Sequence, residues 1–376
     1  MPRMPLAIGP PDPLRPFCDA LVARCAAMRL SSPAALIASA VTAVALTGCG
    51  EVARPAATAS TTTATAPTTA GGHDGLIAFM RPGEVGEYDI WVVRPTGDGL
   101  RRLTQSPANT SDYDPEWSPD GTIVLFSRRL LDESTTDGDD LYVVGKDGAG
   151  LRRLTDCADD CFSDGEASWS PDGRRITLIR ATGSRADGRP STIAVYLTRA
   201  DGSHMHRLTD PPKGLEDHYP TWSADGRTIV FQRDTTTDVP GRTKLLAVDP
   251  QTGKERPVYR LPAWAPGGGL ANFAPHGHRV LFGYWCIFGD ACPPSTRTAR
   301  NATLAFIDAD GSHLRRLNLG IAGDTAAWSP DGTRIVFRCQ PAAGTFRLCT
   351  SRLDGSKLTR FPWPLGSAHP DWGTEP

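Results

Sequence analysis

Acidic side chains and histidines recur shortly before several tryptophans, and these residues have the clearest capacity for chemistry in the chain. Asp112 and Asp114, for example, come just before Trp117. Carboxylate and imidazole groups can hold a divalent cation, and carboxylates also pair with basic peptide segments. The candidate binding residues are Asp112, Asp114, Asp164, Glu166, Asp217, His218, Asp324 and His369.

Two sequence patterns that mark hydrolases do not occur in the chain, namely the G-x-S-x-G nucleophile elbow and the H-E-x-x-H zinc helix. We therefore expect a protein that is not an enzyme, with no catalytic residue and no cofactor. His218 and His369 have acidic neighbours, so a divalent cation bound by them is the alternative that we keep open.

The spacing of the nine cysteines of the chain indicates that the folded part of the protein lies in an oxidising environment. Apart from Cys18, Cys25 and Cys49, they form three close pairs. Paired cysteines at short spacing favour disulfides in a protein outside the cytoplasm, and no pair has a partner at the spacing of a zinc site. The predicted disulfides are Cys157–Cys161, Cys286–Cys292 and Cys339–Cys349.

Residues 28–49 resemble the signal sequence of a bacterial lipoprotein. A basic residue, Arg29, is followed by an apolar run from Ala34 to Leu46 and then by Gly48 and Cys49, which is the order of a signal peptide with a lipobox. The run is shorter than the roughly 20 residues of a membrane span. We predict that Cys49 carries the lipid, the alternative being an ordinary signal peptide in which Cys49 has no role.

Composition divides the chain into four segments. We interpret 1–27 as a leader or start-site artefact, 28–48 as the signal peptide, 49–74 as a disordered Thr, Ala and Pro linker, and 75–376 as the folded domain. The formal net charge of −2 provides no basic excess to neutralise phosphates, so nucleic acid is excluded as a partner.

The pentapeptide WSPDG occurs three times, beginning at Trp117, Trp169 and Trp328. Degenerate copies begin at Trp222 and Phe273, and a truncated one at Trp372. A period of about 50 residues indicates a propeller or another repeat array. Because Pro, Asp and Gly are turn formers, the motif predicts a tight turn, with the aromatic residue packed between repeats.

Each period contains four strand-like segments, which we name A to D. Strand A ends at the aromatic residue, B and C are apolar runs, and D carries the LRRLT mark or a relative of it. The last period has an A strand without a B, and the first has a B without an A. The chain is therefore predicted to be an all-β, six-bladed propeller, closed by pairing the C-terminal strand with the N-terminal strands.

The order of WSPDG, a strand, an Asp-Gly turn and Leu-Thr resembles the WD-repeat-like propeller of TolB and its relatives, over residues 75–376. The resemblance implies that a partner protein or peptide docks on the propeller. The chain departs from that family because only a tether precedes Gly75, where the family has an α/β domain. Any role of that domain is not carried over.

Alternating strand direction gives the propeller two faces. The A–B and C–D turns form one face, the turn face, and the B–C and D–A connections form the other, the loop face. The candidate binding residues are expected just before the A strands, around the channel mouth on the loop face, where the predicted disulfides also lie. Loops on a rigid scaffold usually carry binding.

We expect a monomeric, extracytoplasmic protein, lipid-anchored through Cys49, that binds an envelope protein or peptide. One alternative is a propeller lyase or hydrolase of envelope or extracellular polysaccharide with a metal at the channel mouth. Another is a sensor or accessory subunit of a membrane protein.

Overall fold

The computed structural model describes residues 74–83, 87–131, 138–158, 160–183, 190–235, 242–262, 267–285, 302–340, 346–363 and 369–376. Within these ranges the chain forms 24 strands in six antiparallel sheets of four strands each. The predicted all-β, six-bladed propeller is confirmed. This part of the chain contains no helix that is long and apolar enough to cross a membrane.

Every blade has the strand order A-B-C-D, and the strands are numbered along the chain. Blade 1 consists of β24 (Asp371–Thr374), β1 (Asp74–Pro82), β2 (Tyr88–Val93) and β3 (Arg101–Arg102). Blade 2 consists of β4 (Thr110–Trp117), β5 (Ile123–Leu130), β6 (Asp140–Gly145) and β7 (Arg152–Arg153). Blade 3 consists of β8 (Cys161–Trp169), β9 (Arg175–Thr182), β10 (Thr192–Arg199) and β11 (His206–Arg207).

The other three blades repeat this order. Blade 4 consists of β12 (Leu215–Trp222), β13 (Ile229–Thr235), β14 (Lys244–Val248) and β15 (Glu255–Arg260). Blade 5 consists of β16 (Gly267–Phe273), β17 (Arg279–Trp285), β18 (Ala302–Asp308) and β19 (Arg315–Arg316). Blade 6 consists of β20 (Ala322–Trp328), β21 (Arg334–Gln340), β22 (Arg347–Arg352) and β23 (Thr359–Arg360).

The ring is closed in blade 1, where the two ends of the propeller pair. Strand β24 runs antiparallel to β1, with Trp372 opposite Ile77 and Asp371 opposite Ala78. Each A strand contacts the A strands of both neighbouring blades, and β24 contacts β20 on one side and β4 on the other. The A strands therefore line the central channel, and closure by the C-terminal strand is confirmed.

The WSPDG motif forms the turn from strand A to strand B. In blade 2 the Ser118 amide donates to the Ile123 carbonyl (2.8 Å), and the Ser118 hydroxyl donates to the Asp120 carboxylate (2.6 Å). Gly121 has φ 68°, a left-handed conformation that glycine adopts without steric cost. The motif is therefore a turn, and its polar groups are used within it.

The hydrophobic core lies between neighbouring blades. Trp117 of blade 2 packs with Ala78 and Val92 of blade 1 and with Val124 of its own blade. Trp117 is only 6% exposed, so its large indole contributes apolar burial to the contact between the two sheets. The predicted packing of the repeated aromatic residue between neighbouring repeats is observed here.

The Leu-Thr mark fastens the outer strand to strand C. In blade 1 the Thr104 hydroxyl accepts a hydrogen bond from the Ile90 amide at 3.0 Å. The same contact, also at 3.0 Å, joins Leu141 to Thr155 and Val195 to Thr209. Five of the six D strands have two residues, and such short edge strands offer little backbone for pairing with another chain.

Channel mouth as a candidate binding site

A β-bulge in the A strands sets the shape of the channel mouth. The register of strands A and B shifts in blades 2 to 6, between Tyr113 and Glu116 in blade 2 for example. In every blade the residue three before the terminal aromatic has positive φ. These residues are Asp114 (52°), Glu166 (48°), Tyr219 (50°), Leu270 (44°), Thr325 (37°) and His369 (34°).

Most of the predicted binding residues lie inside the A strands. The A strands begin at Thr110, Cys161, Leu215 and Ala322. All the candidates except His369 are therefore inside these strands and not just before them, as the sequence suggested. The prediction placed the strand starts too late because polar residues at a channel wall break the apolar alternation that marks a strand.

Four of the candidate carboxylates are held inside their own blades by arginine. Asp112 accepts hydrogen bonds from Arg128 Nε (2.7 Å) and Nη2 (2.9 Å), and Arg128 lies opposite it on β5. Each of the four aspartate residues is at most 5% exposed. The equivalent pairs are Asp164–Arg180, Asp217–Arg233 and Asp324–Arg338. Their contacts are structural, and a role as ligands stays a prediction.

The other four candidates meet in two pairs across blade boundaries. His369 Nδ1 lies 2.5 Å from the Asp114 carboxylate, which joins blades 1 and 2. His218 Nδ1 lies 3.3 Å from both carboxylate oxygens of Glu166, which joins blades 3 and 4. Three of these residues are bulge residues, so the bulge aims side chains at the neighbouring A strand.

His218 is the centre of an acidic cluster on blades 3 and 4. Its Nε2 lies 3.6 Å from the Glu216 carboxylate, and Asp234, the residue opposite Glu216 on β13, also acts on its charge. The Tyr219 amide donates to Glu166 Oε2 at 2.8 Å. We call Glu166, Glu216, His218 and Asp234 the blade 3–4 cluster.

The surroundings of His218 favour its protonated form. Burial by itself lowers the pKa of His218, but the carboxylates of Glu166, Glu216 and Asp234 outweigh burial and raise that pKa well above its usual value. Burial raises the pKa of Asp234, although the His218 cation opposes this effect. The cluster thus holds one imidazolium among three acidic side chains.

Sequence reasoning missed Glu216, Asp234 and two further residues of the mouth. Arg129 Nε donates to the Asp139 carboxylate at 3.0 Å, and its guanidinium lies 5.1 Å from the centre of the Tyr113 ring. Glu216 had a visible signal, because it is two residues before His218 on the same strand. Asp234, Arg129 and Asp139 follow or precede loops and reach the mouth only through strand pairing.

Two of the predicted disulfides are confirmed. Cys157, in the connection from blade 2 to blade 3, is bonded to Cys161 at the start of β8, and Cys339 of β21 is bonded to Cys349 of β22. These bonds indicate an oxidising compartment outside the cytoplasm. The predicted Cys286–Cys292 bond and the lipid site at Cys49 lie outside the described residues.

The closed ring of six four-stranded sheets defines a six-bladed β-propeller. The sequence profile of the TolB beta propeller domain matches residues 52–267. The chain belongs to this TolB β-propeller family.

The chain is also similar to two bacterial proteins over part of their length. Uncharacterized peptidase YuxL of Bacillus subtilis is 28% identical over 177 residues, or 39% of this chain and 25% of that protein. Uncharacterized protein Atu1656 of Agrobacterium fabrum is 27% identical over 208 residues, or 51% of this chain and 64% of that protein. The chain thus spans less than two thirds of either relative.

A solved structure resembles the fold. TolB from Acinetobacter baumannii superposes with a TM-score of 0.59 at 15% identity, covering 80% of this chain and 67% of that chain. At this identity the likeness concerns the propeller fold alone.

Proposed function

We propose that the chain is a binding protein of the cell envelope that holds a basic peptide segment of a partner protein at its channel mouth. The observation that carries this proposal is the blade 3–4 cluster, in which Glu166, Glu216 and Asp234 surround a single cation, His218. A lysine or arginine side chain of a partner would add the positive charge that this cluster lacks.

Membership of the TolB family supports a role in binding, and the two disulfides support a location outside the cytoplasm. We further propose that Cys49 is lipid-modified and that the segment after it tethers the propeller to the membrane. Replacement of Cys49 by Ser is expected to move the protein from the membrane fraction to the soluble fraction of fractionated cells. Retention of the variant in the membrane would contradict the anchor.

The binding proposal is tested with the full chain, purified in detergent, and a fluorescent oligolysine peptide, with oligoglutamate as the opposite-charge probe. We expect oligolysine to bind in low salt, oligoglutamate not to bind, and Glu166→Gln with Asp234→Asn to weaken oligolysine binding about tenfold. Each lost charge–charge contact at a partly exposed site has a modest effect, so the double variant is the informative one.

The matched control is Glu375→Gln, which removes an exposed carboxylate far from the A strands' loop-face ends. Unfolding temperatures of all variants check that the propeller is intact. Oligolysine affinity that is equal in the wild type, the double variant and the control would overturn the proposal. Metal content of the purified chain is measured in parallel, because a stoichiometric metal lost in the double variant would assign the cluster to a cation.

A further inference from the structure

The two sides of the channel mouth differ in charge. On the blade 3–4 side the cluster around His218 has more carboxylates than cations. On the blade 1–2 side the guanidinium of Arg129 faces Asp139 at 3.0 Å, and both Asp139 and Asp114 interact with its charge. Its side chain is 37% exposed.

Arg129 is held in place from two directions. Its Nε donates to Asp139, and its guanidinium stacks on Tyr113, the residue before the bulge residue Asp114. Burial lowers the pKa of Arg129, but Asp139, Tyr113 and Asp114 outweigh burial and raise it. The cation is therefore fixed beside the Asp139 carboxylate.

Asp139 is in turn fixed by the connection between blades 2 and 3. Its backbone bridges to Ser163, its carbonyl accepts the Asp164 amide at 2.8 Å, and its amide donates to the Phe162 carbonyl at 3.4 Å. Residues 162–164 thus fix the backbone of Asp139 and, with it, the position from which its carboxylate extends.

The Cys157–Cys161 disulfide is packed against the same segment. The Gly138 amide donates to the Cys157 carbonyl at 3.4 Å, and a Cβ on Gly138 would come within 2.3 Å of Cys157 Sγ. The Cys157 amide donates to the Asp140 carboxylate at 2.7 Å. Residues 138–140 are therefore clamped between the disulfide and the start of β8.

We propose that Arg129 is a specificity-determining residue of the channel mouth and that the Cys157–Cys161 disulfide positions it through Asp139. Arg129 neutralises Asp139, so the blade 1–2 side has less uncompensated negative charge than the blade 3–4 cluster and attracts cations less strongly. A basic segment is thereby confined to the blade 3–4 cluster. This inference rests on the proposed function for its ligand, but the positioning of Arg129 has a test of its own.

The ligand test uses the full chain and the oligolysine probe. Arg129→Gln removes the cation that pairs with Asp139, so we expect oligolysine affinity to rise about fivefold, whereas Arg129→Lys keeps the charge and the wild-type affinity. Replacement of Cys157 and Cys161 by Ser should also raise the affinity for oligolysine, but by less than Arg129→Gln does. The matched control, replacement of Cys339 and Cys349 by Ser, removes the other disulfide and should leave it unchanged.

The positioning test follows the Arg129 Nε–H resonance in chain labelled with ¹⁵N-arginine, assigned by its loss in Arg129→Gln. The Cys157 and Cys161 replacements should shift this resonance, and the Cys339 and Cys349 replacements should not. An unchanged resonance in the first variant would overturn the positioning role. Unchanged oligolysine affinity in Arg129→Gln would overturn the specificity role, whereas failure of the wild type to bind oligolysine would overturn the proposed function and leave the resonance test intact.

Discussion

Pairing with a buried arginine distinguishes the acidic residues of the A strands that have a structural role. Asp324 lies 2.6 Å from Arg338 Nε, and Arg338 is only 1% exposed. The Arg338 guanidinium also lies 4.2 Å from the centre of the Phe346 ring. A buried ion pair of this kind adds little net stability, but loss of one partner leaves an uncompensated buried charge.

Replacement of Asp324 by Asn is therefore expected to lower the free energy of unfolding by about 3 kcal/mol. Asparagine has the same shape but cannot neutralise Arg338. The change is measured by urea denaturation, with Glu375→Gln as the control for loss of a carboxylate. If the two variants are equally stable, burial of the Arg338 charge does not require the Asp324 carboxylate.

The acidic residues of the two classes look alike in the sequence. Asp112 and Asp114 are two residues apart, yet the first binds Arg128 within its blade and the second meets His369 of another blade. The arginines at a constant separation of 16 residues in blades 2 to 4 were a signal for the first class. The second class depends on contact between A strands that only the closed ring brings together.

At the level of strands, the bulge is the feature that makes the mouth. Six side-chain-bearing residues adopt positive φ at the same position, at a cost of roughly 1 kcal/mol each for a left-handed residue. Glycine at this position would have made the bulge predictable, but none of the six is glycine. The turns were predictable for the opposite reason, because WSPDG contains the residues that its backbone requires.

Thr325 is the β-branched member of this set, with φ 37°. Replacement of Thr325 by Gly relieves the left-handed strain, which offsets the entropic cost of glycine, so we expect a change in unfolding free energy within about 1 kcal/mol. Ala326→Gly, one residue later and without positive φ, is the control and should lose about 1 kcal/mol. Urea denaturation compares them, and a larger loss for Thr325→Gly would contradict strain at the bulge.

For the whole molecule, closure of the ring depends on the contact between blades 1 and 2. Gly373 of β24 lies against the indole of Trp117, and a Cβ on it would come within 2.6 Å of the ring. Gly373→Ala is therefore expected to destabilise the propeller by about 2 kcal/mol through overpacking. Gly283→Ala, whose Cβ would find its nearest neighbours at 3.6 Å, is the control. Equal unfolding temperatures for the two variants would argue against tight packing between blades 1 and 2, at the contact that we call the seam.

The seam also contains two acidic residues in adjacent A strands. The Trp117 amide donates to Asp371 (2.7 Å), and the Trp169 amide donates to Glu116 (2.8 Å). Burial raises the pKa of Asp371 to about 6. Burial and the neighbouring Asp371 charge raise the pKa of Glu116 well above its usual value. The folded chain therefore holds protons that the unfolded chain, with carboxyl pKa values near about 4, has already released.

The sign of the resulting pH dependence follows from these raised values. Stability from the pair is fully present below about pH 4 and is lost as the pH rises through the raised pKa values of the folded chain, of which that of Asp371 is about 6. Glu116→Gln keeps an oxygen for the Trp169 amide and removes one charge. We expect this variant to be more stable than the wild type by about 1 kcal/mol at pH 8 and to differ little at pH 4. Urea denaturation at both pH values checks this against Glu375→Gln. A difference from the wild type that does not grow with pH would mean that the two carboxylates are not coupled across the seam.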